Sequence, residues 1–155
     1  MAETIFILNC GSSSIKYAVF DAHAKQRHCH GLIENIGTPN AHISHVDSTH
    51  VIGDSIGMHT HESALETVLD ILGNKLIRSI RLIGHRVVHG GSVFSQATLM
   101  DNKSIQALQA LNILAPLHNP VSTKVIQHLT RKWPKKPNIA LFDTAFHITI
   151  PKYAH

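Results

Sequence analysis

The sequence contains few aromatic residues, no low-complexity segment and no hydrophobic run long enough to span a membrane. Aromatic residues make up 5% of the 155 residues and hydrophobic residues 43%, as in an ordinary folded protein rather than a disordered one. The apolar runs end well short of the roughly 18 residues of a membrane helix, and the N-terminus lacks the basic flank and long apolar stretch of a signal peptide. We therefore expect a cytoplasmic protein with one domain, because this length suffices for one core but hardly for two.

Cysteine and excess charge are also scarce. The two cysteines, Cys10 and Cys29, do not form a framework of paired spacings, so we expect reduced thiols rather than a disulfide. The net charge is only +4, and the one basic cluster is RKWPKK at Arg131–Lys136. This charge is compatible with an anionic ligand, but the sequence lacks a motif that reads a nucleic-acid groove. We expect neither a nucleic-acid partner nor a membrane partner.

Histidine, in contrast, is abundant, with 14 residues. Some histidines form pairs with one residue between them, such as His28 with His30 and His59 with His61. On a strand each pair would face one side and could contribute to a zinc site, although only Cys29 stands near a pair as a further ligand. Surface histidines are the favoured interpretation, and a metal site is the alternative.

Alternating apolar residues predict the first part of the fold. Two strands, Ile5–Cys10 and Ile15–Asp21, are joined by a tight Gly/Ser turn, and Arg27–Ile36 is a third strand. Together they predict an antiparallel meander. The segment Gly37–Met58 is rich in Gly, Pro, Asn, Asp and Ser, so we expect a loop there.

The second half of the chain alternates between helical and strand patterns. From Ser63 the apolar spacing becomes that of a helix, and Ser63 with Glu66 fits a capping box. The remaining predicted elements are a strand at Ser79–His89, a helix capped by Asp101, a helix with Asn119 as its cap and Pro120 in its first turn, and a short strand at Ile139–Phe142. This order predicts an α/β domain whose mixed sheet is flanked by helices.

The turn between the first two strands, NCGSSSIK at Asn9–Lys16, is a candidate phosphate site. Its glycine and serines, including Ser12 and Ser14, expose backbone N–H groups and hydroxyls in a small concave space that suits phosphate oxygens. Lys16 could add a point charge, and the side-chain oxygen of Asn9 could reach a metal ion or its waters. The alternative is a plain hairpin, since turns also favour these residues. The residue order of a Walker loop is absent.

A second candidate segment is GHRVVHGG at Gly84–Gly91. Arg86 lies within an otherwise apolar strand, where an unpaired guanidinium would be unfavourable. We therefore expect a buried carboxylate or a bound anion beside it, because the planar fork of arginine matches either one with two hydrogen bonds. A purely structural ion pair is the alternative.

Two further polar residues stand at the ends of predicted elements. In LAPLHNP, Leu114–Pro120, His118 lies at the entry of a helix, where backbone N–H groups attract anions. In FDTAFH, Phe142–His147, Asp143 directly follows a buried strand, a position at which α/β proteins bind ligands. Asp143 could instead cap the next segment. Four polar clusters at element ends are better explained by one anion-binding cleft.

These four segments, in this order, resemble the signature segments of the acetokinase family, which shares a superfamily with sugar kinases and actin. The resemblance runs over most of the chain and is weakest in residues 37–58. It implies a ribonuclease-H-like fold and a reversible, magnesium-dependent phosphoryl transfer between ATP and acetate that gives ADP and acetyl phosphate.

The resemblance also implies roles for the matching positions on the nucleotide side. Asn9 would help to hold magnesium. The hairpin with Ser12, Ser14 and Lys16 would approach the nucleotide phosphates.

On the acyl side, the resemblance implies that Arg86 contacts the acyl substrate and the transferring phosphoryl group. Val88 and Leu117 would line the pocket for the acetate methyl, His118 would lie close to the phosphoryl path, and Asp143 would be the acidic active-site residue. Propionate kinases of the family tend to carry a smaller residue in place of Val88, so Val88 favours acetate.

The family differs from this chain in length, because acetokinases carry a second domain of related fold that completes the site. Residues 1–155 resemble the N-terminal domain alone, so we expect little kinase activity from this chain by itself. The alternatives are a non-catalytic acyl- or phosphate-binding or interaction domain and a fragment of a propionate kinase. The resemblance implies a homodimer for full-length members, and an exposed interdomain face predicts self-association of this chain.

Overall fold

The computed structural model describes residues 3–23, 25–57 and 59–145. Within them, one sheet contains these strands, numbered along the chain: β1 (Thr4–Gly11), β2 (Ser14–Asp21), β3 (Arg27–Glu34), β4 (His42–Asp47), β5 (Val51–Ser55), β6 (Ile80–Val87), β7 (Thr98–Leu99) and β8 (Asn138–Phe142). Their order across the sheet is β5-β4-β3-β2-β1-β6-β8-β7. The strands β1 to β5 form an antiparallel meander, whereas β6 runs parallel to β1 and β8 runs parallel to β6. The predicted mixed sheet is therefore confirmed.

The prediction of a loop at Gly37–Met58 is wrong, because β4 and β5 extend the meander by two strands. In β4 only Ile43 and His45 are buried, and both are 2% exposed. Ser44 between them is polar, and β5 is mostly exposed, so apolar alternation is weak in this segment. Strands near a sheet edge need few apolar side chains, which explains why the pattern did not predict them. Met58 itself lies outside the described residues.

Three α-helices pack against the sheet, as predicted. They are α1 (His61–Ser79), α2 (Asn102–Ala110) and α3 (Asn119–Lys132), and a 3₁₀ turn at Leu111–Leu114 follows α2. None of the described helices is long and apolar enough to cross a membrane.

The helix starts partly differ from the sequence predictions. Asp101 caps α2, as predicted, by accepting a hydrogen bond from the backbone N–H of Ser104 at 2.7 Å. The capping box of α1, however, joins Thr60 to Ser63, three residues earlier than predicted. The predicted partner of Ser63, Glu66, instead pairs with residues of α3.

The helices cover only one face of the sheet. On this covered face Phe6 and Leu8 of β1 are 0% and 1% exposed and pack with residues of α1 and α3, among them Leu65, Val68 and Leu129. Ile7, which lies between Phe6 and Leu8 and points the other way, is 40% exposed. Among the described residues no helix lies on the side of Ile7, which we call the open face.

Both cysteines are free and buried, which confirms the expected reduced thiols. Burial raises the pKa of Cys10 to about 12 and that of Cys29 to about 11. Because the thiolate is the reactive form, neither side chain is suited to nucleophilic chemistry.

Candidate functional site

Strand register brings candidate residues of two segments, Asn9 and Lys16 of the first and Arg86 of the second, into one row on the open face. Asn9 of β1 lies opposite Lys16 of β2 and opposite Arg86 of β6, and Arg86 lies opposite Leu141 of β8. Residues that are directly opposite on neighbouring strands have Cβ atoms about 5 Å apart. Because β1, β6 and β8 run parallel, their carboxyl ends meet at one edge of the sheet, and the row lies close to that edge.

Arg86 connects the ends of the three parallel strands. Its Nε lies 3.0 Å and its Nη2 2.5 Å from the carboxylate of Asp143, which directly follows β8. Its Nη1 donates a hydrogen bond to Oδ1 of Asn9 at 3.0 Å. The predicted carboxylate beside Arg86 is thus confirmed, but the prediction that it is buried is wrong. The two side chains are 47% and 42% exposed.

The contacts of Arg86 leave part of its hydrogen-bonding capacity available. A guanidinium has five N–H donors, and the bonds to Asp143 and Asn9 use one donor on each of its nitrogens. One N–H on each terminal nitrogen remains. The hydrogen bonds that Arg86 donates to the Asp143 carboxylate raise the pKa of Arg86, so the guanidinium stays charged. Two N–H groups on neighbouring nitrogens are the geometry with which arginine binds a carboxylate or a phosphate.

The hairpin between β1 and β2 is held on two sides. Ser12 and Ser13 form an exposed two-residue turn. The carbonyl of Gly11 lies 2.9 Å from Nε2 of His61 at the start of α1, and the carbonyl of Ser13 accepts a hydrogen bond from the backbone of Ile36 at 3.0 Å. These contacts fix the turn relative to the sheet.

Two contacts of this hairpin were not predicted from the sequence. His61 belongs to a histidine pair that indicated only a possible metal site, yet it holds the Gly11 carbonyl. Gly11 has a steric role, because a Cβ there would lie 2.7 Å from Oγ of Ser14. The pairing of Gly11 with Ser14 across a two-residue turn was the signal that could have shown this contact.

Asn119 fixes the loop that follows β6. Its side chain is completely buried and bonds the backbone of His89 on both sides, accepting from N–H at 3.3 Å and donating to the carbonyl at 2.9 Å. It also donates to the carbonyl of Leu111. Thr144 accepts a hydrogen bond from the N–H of Gly90 at 3.0 Å. The loop after β6 is therefore joined both to α3 and to the segment after β8.

This role of Asn119 differs from the predicted helix cap. The N-cap of α3 is His118, and it makes no capping hydrogen bond through its side chain. His118 and Val88 are half-buried, and Leu117 is 70% exposed. The contact of Asn119 with His89 places the start of α3 beside the loop that contains Val88. No hydrogen bond joins His118 to Arg86 among the described side chains, and Phe146 and His147 of the FDTAFH segment lie outside them.

The described residues do not form a metal centre of their own. No group of three His, Cys, Asp or Glu side chains in this part of the chain could hold a metal ion, and Oδ1 of Asn9 already accepts from Arg86. Magnesium commonly keeps several waters and binds through one or two protein oxygens together with substrate phosphates. The oxygens of Asn9 and Asp143 fit such a site as peripheral ligands and not as a cage.

Comparison with known proteins identifies the family. The model of the acetokinase family matches residues 4–155. The acetate kinase of Fervidobacterium nodosum is 41% identical over 157 aligned residues, which cover 97% of this chain and 39% of that protein. The structure of a propionate kinase from Francisella tularensis is 40% identical with a TM-score of 0.90, over 97% of this chain and 39% of that one. For an acetate kinase structure from Porphyromonas gingivalis, the identity is 30% and the TM-score 0.88, over 98% and 40%.

These matches support the predicted α/β fold. Because they cover only part of each related protein, they do not show that this chain has the activity of the whole protein. The chain spans about two fifths of the length of the relatives that it matches. The family match, in contrast, extends almost from one end of the chain to the other. The chain belongs to the acetokinase family.

Proposed function

We propose that the chain is the substrate-side part of an acetate kinase, which transfers a phosphoryl group reversibly between ATP and acetate. The observation that carries this proposal is the geometry of Arg86, which Asp143 and Asn9 hold while one N–H remains on each terminal nitrogen. Acetate, acetyl phosphate and the transferring phosphoryl group are all anions that such a pair of N–H groups binds.

Arg86 would act by positioning the reactants and by neutralising charge. Phosphoryl transfer requires in-line placement of the reacting oxygens and stabilisation of the charge on the equatorial oxygens. A carboxylate substrate is already ionised at neutral pH, so no general base has to remove a proton from it. Asp143 would therefore orient Arg86, a role that its hydrogen bonds to Nε and Nη2 support.

The hairpin would bind the phosphates of ATP, and the start of α3 would lie close to the path of the transferring phosphoryl group. Ser12 and Ser14 lie at the turn, Lys16 lies in the same row as Asn9 and Arg86, and His118 stands at the N-terminus of α3, where the helix dipole favours an anion. Magnesium, when bound with ATP, would neutralise phosphate charge. Asn9 is the residue of this row that we expect to contact the ion or its waters.

Val88 and Leu117 would form the apolar wall for the acyl methyl group. Val88 favours acetate, but one similar structure is that of a propionate kinase, so a propionate kinase fragment is the alternative. Val88→Ala should improve the affinity for propionyl phosphate relative to acetyl phosphate by several-fold, since one or two methylenes in an apolar pocket are worth about 1–3 kcal/mol. An unchanged ratio in titration calorimetry would exclude Val88 from the acyl pocket.

The main test of the proposal compares ligand binding with turnover by this short chain. Because it spans about two fifths of its relatives, we expect binding of acetyl phosphate without substantial turnover in a coupled ATP/acetate assay. Titration calorimetry with acetyl phosphate should give a binding signal that Arg86→Ala removes. Arg78→Ala is the matched control, because Arg78 is an exposed arginine in the last turn of α1 and belongs to neither the row of Asn9, Lys16 and Arg86 nor its ion pair.

Two outcomes would contradict parts of this proposal. Near-normal turnover by the 155-residue chain would show that no further domain is required. Absence of acetyl phosphate binding, or equal binding by Arg86→Ala, would exclude the proposed site.

A non-catalytic binding or interaction domain is the second candidate function, because the remaining N–H groups of Arg86 could bind an anion with or without turnover. Adding a purified C-terminal part of an acetate kinase should restore turnover if the chain is part of an enzyme. Binding of acetyl phosphate that is never followed by turnover in this mixture would favour the binding domain.

The open face leads to a proposal about assembly. Ile7 and Leu141 on this face are 40% and 53% exposed, and sheets with parallel strands normally have both faces covered. We expect copies of this chain to self-associate through this face in solution. We expect the same association in the cytoplasm, where we expect the protein to be located. Sedimentation that shows a monomer at high concentration would contradict this, and Ile7→Lys should weaken any association that is found.

A further inference from the structure

A cavity of about 660 Å³ lies far from the candidate site, at the opposite ends of the parallel strands. It is lined by Ile80, Arg81 and residues 132–137, which form the start of β6 and the connection from α3 to β8. Arg86 is six residues further along β6, which corresponds to about 20 Å of extended strand. Neither the reaction proposed above nor the candidate site uses this cavity.

The wall of the cavity combines apolar and cationic side chains. Ile80, Trp133, Pro134 and Pro137 supply the apolar surface, and Trp133 packs against the main core. The volume lies within the range of about 300–1,000 Å³ that is usual for small-molecule sites. The cationic side chains are Arg81, Lys132, Lys135 and Lys136.

The cations outnumber the carboxylates that pair with them. Glu3 pairs with Arg81 at 2.5 Å, and Glu66 pairs with Lys132 at 2.7 Å. Among the described residues no carboxylate pairs with Lys135, which is exposed. Lys136 donates to the carbonyl of Ile80 at 2.5 Å instead of to a carboxylate.

Two backbone carbonyls near the cavity are already hydrogen-bonded. The carbonyl of Leu129 accepts from the N–H of Trp133 at 2.8 Å, and that of Trp133 accepts from the N–H of Lys136 at 2.9 Å. The negative end of the α3 dipole is further offset by Arg131 and Lys132 in the last turn. These contacts and charges reduce the negative potential that an anion in this cavity would meet.

We propose that this cavity binds a small organic phosphate of mononucleotide size. The phosphate would contact Lys135 and its cationic neighbours, and the organic part would lie against Trp133 and the prolines. An anion without an apolar part would leave this wall in water, and an uncharged molecule would leave Lys135 without a partner. The proposal is independent of the kinase function proposed above.

Trp133 provides a direct test because it is the only tryptophan of the chain. Titration with adenosine monophosphate, with excitation of Trp133, should give saturable fluorescence quenching with a Kd below about 1 mM. Adenosine and inorganic phosphate should each bind at least about tenfold more weakly. Lys135→Glu should weaken binding about tenfold or more, whereas Lys103→Glu makes the same charge change on α2, outside the cavity.

A variant in the candidate site serves as the second control. Arg86→Ala should leave the quenching by adenosine monophosphate unchanged, even if acetyl phosphate binding is lost. The proposal is overturned if no saturable quenching occurs, if Lys135→Glu and Lys103→Glu bind equally, or if Arg86→Ala abolishes the signal. Equal binding of adenosine or of inorganic phosphate would also overturn it, since the cavity would then not require both parts of the ligand.

Discussion

Neighbouring residues of β1 show how differently the two faces of the sheet are built. Leu8 points to the covered face and is 1% exposed, whereas Ile7 points to the open face and is 40% exposed. On β6, His85 is buried in the core, and the next residue, Arg86, carries a half-exposed ion pair on the open face.

Residues of the covered face should therefore mainly affect the stability of the chain, and residues of the open face should mainly affect ligand binding. The covered face buries the apolar residues that drive folding. The open face holds Asn9, Lys16 and Arg86 in one row at the carboxyl ends of the strands. Polar groups can be placed there because the surrounding surface is in contact with solvent, which reduces the unfavourable desolvation of charge. Substitutions on the two faces should therefore have different effects.

The largest difference is expected between Leu8→Ala and Ile7→Ala. Leu8→Ala removes a fully buried side chain and should lower the free energy of unfolding by about 3 kcal/mol. Ile7→Ala removes a side chain that is already 40% exposed, and the expected loss is about 1 kcal/mol or less. Urea unfolding followed by circular dichroism measures both values, at a protein concentration low enough for the chain to be monomeric.

An equal loss of unfolding free energy in Leu8→Ala and Ile7→Ala would contradict the difference between the two faces. It would mean that Ile7 is covered in solution, as it would be in a self-associated form. Repeating the Ile7→Ala measurement at several protein concentrations would then identify that form, because self-association makes stability depend on concentration.

The buried histidine of the covered face should make the chain sensitive to acid. Burial lowers the pKa of His85 from 6.5 to about 4, against the opposing effect of its hydrogen bond with Asn138. A lowered histidine pKa means that the unfolded chain binds protons more readily than the folded one, so stability falls as the pH drops from about 6.5 towards 4. Between pH 7 and pH 5 the loss from His85 alone should be about 2 kcal/mol.

Two variants distinguish this effect from other titrations. His85→Gln should lower stability at pH 7 but should reduce the fall between pH 7 and pH 5. His30 is half-exposed, and its pKa is also lowered, by desolvation and by the neighbouring Arg27 and His45. His30→Gln should therefore change the slope in the same direction but by less. A wild-type slope in His85→Gln would rule out His85 as the main acid-sensitive group.

Apolar periodicity predicted the elements that contribute most to the core. It predicted β1, β2, β3, β6, β8 and the three helices, because each buries side chains at regular intervals. It did not predict β4 and β5, whose stability depends on pairing with β3 and on few buried residues, such as Ile43. The cap of α1 was misplaced because both Thr60 and Ser63 are suitable capping residues.

The part of the candidate site that lies at the ends of strands could be predicted from the sequence. Asn9, Arg86 and Asp143 each stand at the end of an apolar strand, and parallel strands bring such ends together. The roles of His61 and Asn119 were not predictable, because both bond backbone carbonyls that loops bring near them. Such contacts depend on loop conformation, which composition and spacing do not determine.

Only a small effect on stability is expected from the ion pair of the open face. Asp143→Asn removes the charge that faces Arg86, but the two side chains are 47% and 42% exposed, and exposed pairs contribute about 0–1 kcal/mol. Asp143→Asn should therefore lower the free energy of unfolding by less than about 1 kcal/mol, and added salt should reduce this loss. Glu3→Gln, which breaks the more exposed pair with Arg81, is the matched control and should have a smaller effect still. A loss above about 2 kcal/mol in Asp143→Asn would show that the pair is a structural element rather than part of a binding site.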